Sequence, residues 1–103
     1  MLVATALATS ASAPRLRLVA MQPLTVRGID FKPAERVRVR LLLEERTLAR
    51  SVTATQVGTF MVTFPDVRVD RCTTFTVKSR GNQGSRAVLT GRPLPECPEP
   101  VTP

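Results

Sequence analysis

The sequence predicts an all-β chain, folded as a two-sheet antiparallel sandwich of about seven strands. Short runs alternate apolar with polar residues at a period of two, which turns one face of each run toward a core. Gly, Pro, Asn and Asp interrupt these runs roughly every 8–12 residues, the spacing of a small sandwich. The chain has 103 residues, room for about one domain. Its apolar share of 43% suits a packed core, and no apolar run approaches the roughly 18 residues of a membrane span.

The strands follow in order. Leu16, Leu18 and Ala20 alternate with Arg15, Arg17 and Val19. Leu24 and Val26 lead to Gly28, and the segment 31–35, FKPAE, turns the chain at Pro33. Val37, Val39, Leu41 and Leu43 alternate with Arg36, Arg38 and Arg40. The same stretch could be written as a helix, with Pro33 near its start. A helix, however, would give no clean apolar face, and the β-branched valines favour a strand. A further run covers 47–55, where Arg50 shares the parity of Leu48, Val52 and Ala54, so either Arg50 is misplaced or a bulge shifts the register. Phe60, Val62 and Phe64 alternate up to Pro65, and Asp66 and Asp70 flank a short β segment. Phe75, Val77 and Ser79 alternate up to Gly81, and the turn 81–84, GNQG, links them to Ala87 and Leu89 as a hairpin.

The two ends differ from this pattern. Residues 1–13, MLVATALATSASA, carry no charge and end in Ala11-Ser12-Ala13, a small-x-small junction of the kind that closes a secretory leader. Export with a cut after Ala13 is therefore expected, although the basic start of such leaders is missing. The folded domain is expected over 14–92. Residues 93–103, PLPECPEPVTP, hold five prolines, and are expected to run as an extended, polyproline-like tail.

Cys72 and Cys97 are the two cysteines. In an exported chain they are expected to pair. Cys72 precedes the Phe75 strand and Cys97 follows the Leu89 strand. Those strands pair antiparallel through the GNQG turn, so the start of one lies beside the end of the other.

Catalysis is not expected. The chain has no His, Trp or Tyr, which removes every His-dependent triad. A Ser or Thr nucleophile would need Lys32 or Lys78 as its base, and neither stands in a recognised spacing. Asp66 and Asp70 show no apolar pocket that would raise one carboxyl. Asp30, Asp66 and Asp70 are too few for calcium, and two cysteines cannot close a zinc site. No cofactor and no metal are expected.

The arginines are the most suggestive feature. Fifteen Lys and Arg against eight Asp and Glu leave a formal charge of +7. Arg36, Arg38 and Arg40 share one strand face, about 6.5–7 Å apart. Arg15 and Arg17 would join that face if their strand lay beside it. Like charges so close are unfavourable unless something anionic lies across them, and a polyanion would serve. The ordinary alternative is a solvated outer face, whose arginine stems cover the sheet while the heads stay in water. Nucleic acid is disfavoured, because Phe60, Phe64 and Phe75 fall on the core parity and leave no stacking platform.

Three segments, V-R-G-I-D-F-K-P-A-E-R-V-R-V at 26–39, Gly58-Thr59-Phe60, and Phe75-Thr76-Val77 followed by 81–87, give a resemblance to bacterial immunoglobulin-like sandwich domains of small secreted or cell-surface proteins. It covers roughly residues 15–91. The resemblance implies an immunoglobulin-like architecture and a non-catalytic module of adhesion, assembly or spacing. Ala34 stands where such domains often carry glycine after proline, so a type I turn is expected there. The cysteine, tryptophan and tyrosine hallmarks of antibody domains are absent. The expected protein is a secreted, extracytoplasmic binding or structural module that contacts an anionic envelope polymer or another extracellular protein, without a membrane span. The alternatives are a plain spacer domain and, further off, a basic nucleic-acid-binding protein.

Overall fold

The computed structural model describes residues 13–97. Residues 1–12, which make up most of the expected leader, and residues 98–103 of the expected tail lie outside the described residues. Seven strands follow one another: β1 (Arg15–Met21), β2 (Leu24–Ile29), β3 (Arg36–Leu42), β4 (Thr47–Thr53), β5 (Phe60–Phe64), β6 (Phe75–Gly81) and β7 (Arg86–Gly91). They form two antiparallel sheets, ordered β1-β2-β5 and β4-β3-β6-β7. Strands one, two and five in one sheet, with three, six and seven in the other, is the partition of an immunoglobulin constant-type sandwich. β4 departs from it by pairing with β3 rather than β5.

Alternation produces the core. Along β3 the arginines are exposed while Val37, Val39 and Leu41 are buried, and β5 and β6 alternate in the same way. Leu24, Val26, Val37, Val39, Leu41 and Val77 meet between the sheets in one cluster with all four phenylalanines. Phe31, from the β2–β3 loop, sets its ring edge-on to Phe60 at 4.8 Å between centroids, a favoured aromatic geometry. Burying each such side chain contributes about 1.5–3 kcal/mol.

Five local features differ from the sequence-based expectation or complete it. The register slips in β1, between Leu18 and Ala20. This slip sets Ala20 opposite Thr25 and Met21 opposite the buried Leu24, so Met21 rather than Ala20 packs against the core. β4, by contrast, pairs with β3 without interruption, so no bulge resolves the position of Arg50. It keeps the inward parity yet stays exposed, because β4 is an edge strand. Residues 67–70 form no strand. Val67 and Val69 are nevertheless buried, tied to the β1–β2 turn by Leu24 N–H to Val67 O (2.8 Å) and Val69 N–H to Met21 O (3.0 Å). Ala34 has φ +58° and Glu35 N–H donates to Lys32 O at 3.1 Å. A positive φ at that position excludes the expected type I turn. Finally, the tail is not extended throughout: Cys97 N–H donates to Leu94 O at 2.9 Å, closing a turn over Pro95 and Glu96.

That turn completes a disulfide. Phe75 lies opposite Gly91 in the β6–β7 register, and Leu94 N–H donates to Arg71 O at 3.3 Å. Cys72 and Cys97 are bonded, with their Cα atoms 5.6 Å apart. A disulfide in so small a domain suggests an oxidising, extracytoplasmic environment. Among the described residues, no helix is long and apolar enough to cross a membrane.

Candidate functional site

Pairing β3 with β6, and β6 with β7, gathers cations from three strands on the outer face of the four-stranded sheet. β3 contributes Arg36, Arg38 and Arg40, β6 contributes Lys78 and Arg80, and β7 contributes Arg86, all exposed. The register arranges them in rows. Arg38 lies opposite Arg80, and Arg80 opposite Arg86; one row along, Arg40 lies opposite Lys78. Neighbouring strands stand about 4.8 Å apart and residues of one face about 6.5–7 Å apart along a strand. The remaining positions of this face on β4 are Thr47, Ala49, Ser51 and Thr53. No strand position of the face holds a carboxylate. The exposed acids Glu44 and Glu45 lie in the β3–β4 turn beyond its edge, and Glu35, next to Arg36 in the chain, is buried.

Arg15 and Arg17 are not part of this surface. β1 pairs with β2 in the other sheet, so the five arginines expected together divide between opposite sides of the sandwich. Arg15 forms an exposed ion pair with Asp30 at 3.3 Å, the one ion pair among the described residues. Lys78, Arg80 and Arg86 were missed as members of the face. The alternation of β6 and the GNQG hairpin carried their signal, but only the adjacency of β3 and β6 places them beside Arg38 and Arg40.

A buried carboxylate holds the end of this face in place. Glu35 is fully buried. Its Oε1 accepts Lys32 N–H at 3.1 Å, and its Oε2 accepts Gln83 N–H at 2.8 Å and Ser85 N–H at 3.2 Å. Burial pushes its pKa up, but the hydrogen bonds from the hydroxyl and N–H of Ser85 and the N–H groups of Lys32 and Gln83 outweigh that and hold it below its ordinary value. Around it, Arg36 N–H donates to Asn82 Oδ1 (3.2 Å), Asn82 N–H donates to Arg36 O (2.9 Å) and Lys32 Nζ donates to Gln83 O (2.6 Å). The β2–β3 loop thus grips the β6–β7 turn, fixing Arg36 relative to Arg80 and Arg86. Gly81 is required there, since a Cβ would collide with the Glu35 carboxylate.

The opposite end carries a different surface. A cleft there is lined by Leu43, Glu44, Glu45, Asp66, Phe75 and Leu94, with both cysteines at its margin. Its acids and cations are mixed, unlike the single-sign face. Asp70 beside it accepts Cys72 N–H (2.8 Å) and the Thr73 hydroxyl (3.0 Å), and these bonds hold its carboxyl below the usual range. They make it a turn-former. No group of three or more His, Cys, Asp or Glu that could hold a metal occurs among the described residues. Compared with protein families and with curated proteins, the chain matches none.

Proposed function

We propose that this is a secreted, non-catalytic, bacterial immunoglobulin-like module that binds an anionic envelope polymer through Arg36, Arg38, Arg40, Lys78, Arg80 and Arg86. One observation carries the reading: Arg38, Arg80 and Arg86 stand in a single cross-strand row with no acid on the face. Like charges directly opposite destabilise a sheet, and a polyanion laid across the row converts that repulsion into attraction. The burial of Phe31, Phe60, Phe64 and Phe75 supports a polymer without bases, because no aromatic ring is left as a stacking surface. The disulfide supports an extracytoplasmic site of action, and the leader-like residues 1–13 supply the route.

The test is binding of fluorescent long-chain polyphosphate as salt is varied. Six contacts to a flexible polyanion give a log–log slope of about −4, or about 300-fold weaker binding at 200 mM than at 50 mM salt. Replacing Arg38, Arg80 and Arg86 by Ser should bring the slope to about −2. Wild-type binding that ignores salt, or an unchanged triple variant, sinks the proposal and leaves a solvated spacer.

A further inference from the structure

The arginines that the topology removes from the main face make a second, smaller one. On the outer side of the three-stranded sheet, Arg17 of β1 lies opposite Arg27 of β2, and Arg27 opposite Met61 of β5. Both arginines are exposed. Arg15 and Ile29 make the next pair of this face, and the remaining strand positions nearby are Thr25 and Thr63. Again no strand position carries a carboxylate; Asp30, just past β2, bonds Arg15. An unrelieved arginine pair is therefore held on the side of the molecule opposite the six-cation face.

From this back-to-back arrangement we infer that the protein is bivalent and cross-links anionic polymers, a function that rests on the polyanion-binding reading above. The two sheets of a sandwich pack about 10 Å apart, and arginine side chains on both sides set the two charged surfaces roughly 20 Å from each other. A short anionic segment seated on one face does not reach the other. The second face takes another chain, or a distant stretch of the same chain. The six-cation face supplies most of the affinity. The Arg17–Arg27 face is weak alone and gains from effective concentration once the first face has brought the protein into a polymer network. The outcome is a fastener between polymer strands rather than a passive coat on one.

The experiment mixes the full mature chain with long-chain polyphosphate at low salt and follows light scattering beside affinity. Wild type should bind and scatter strongly, and excess polymer should dissolve the network. The variant Arg17→Ser/Arg27→Ser should bind within about threefold of wild type, while its scattering falls to the polymer baseline. Arg17→Lys/Arg27→Lys should restore the scattering. Arg46→Ser/Arg68→Ser, at the cleft end, removes the same two charges from the formal +7 and should still cross-link, which separates a located face from bulk charge neutralisation. All four positions are exposed, so urea unfolding curves should remain close to wild type. Normal scattering by the Arg17/Arg27 serine variant, or wild type that binds without ever scattering, overturns the cross-linking inference alone. Wild type that binds no polyphosphate overturns the binding reading and this inference with it.

Discussion

Arg38 and Arg80 face each other directly across the β3–β6 register, neighbours in the middle of a four-stranded sheet with no carboxylate on their side. Two guanidinium groups in that relation oppose folding. Arg80→Thr should therefore stabilise the protein by about 0.2–1 kcal/mol at low ionic strength, threonine being a good strand residue. Urea unfolding at low and at 1 M salt checks this. The gain should shrink at high salt, where the Debye length is about 3 Å; a destabilised variant would show that the arginines do not repel.

Glu35 links stability to pH. Its folded pKa lies below the ordinary value of 4.5, so its contribution is complete above that value and is lost as pH falls through the folded pKa. Glu35→Gln should cost about 1–3 kcal/mol near neutrality. With the amide oxygen facing Gln83 and Ser85, its NH2 group confronts the Lys32 N–H, donor against donor, inside the protein. Comparing the acid branch of the unfolding curves isolates the group: wild type should lose more stability than Glu35→Gln between pH 6 and pH 3. Parallel acid branches would refute the linkage.

Ala34 holds a backbone conformation that favours glycine, φ +58°, and its side chain is exposed. The left-handed region costs a non-glycine residue about 1–2 kcal/mol, and glycine returns part of that through unfolded-state entropy. Ala34→Gly should raise stability by about 0.5–1 kcal/mol. Thermal or urea unfolding reads this directly, and a less stable variant would contradict it.

The Cys72–Cys97 bond closes a loop over a sequence separation of 25. Constraining the unfolded chain to that extent stabilises the fold by about 3–4 kcal/mol in the chain-entropy model. The Cys72→Ser/Cys97→Ser variant should unfold at correspondingly lower urea, and wild type in reductant should match it. A double variant as stable as the oxidised protein would show that the bond constrains nothing.

How far the sequence revealed this structure depends on what alternation encodes. A period of two tells which side of a strand faces the core, so β3, β5 and β6 were legible from Val37–Leu41, Phe60–Phe64 and Phe75–Val77. The cysteine pairing was legible too, because one hairpin fixes both ends of it. Alternation does not name a strand's neighbour. Arg15 and Arg17 were grouped with Arg38 for that reason, and Arg80 and Arg86 were passed over. Glu35 read as a turn residue, because its N–H partners at Gln83 and Ser85 arrive from 48 and 50 positions away. The same tertiary grip sets the turn at Ala34 against its local preference.

Arg50 bears on how the molecule behaves in company. β4 is the outer strand of its sheet, and among the described residues no strand pairs with its free row of backbone N–H and C=O groups. An extended segment from another molecule could add itself there, and copies could then stack edge to edge. To do so it would have to enclose a guanidinium standing on the core-facing parity between Leu48 and Val52, a charge left without a partner once water is excluded. The single residue that spoils the alternation of β4 thus guards the open edge. Arg50→Val should associate more strongly than wild type as concentration rises, as sedimentation velocity would register, and a variant that sediments like wild type would locate the guard elsewhere.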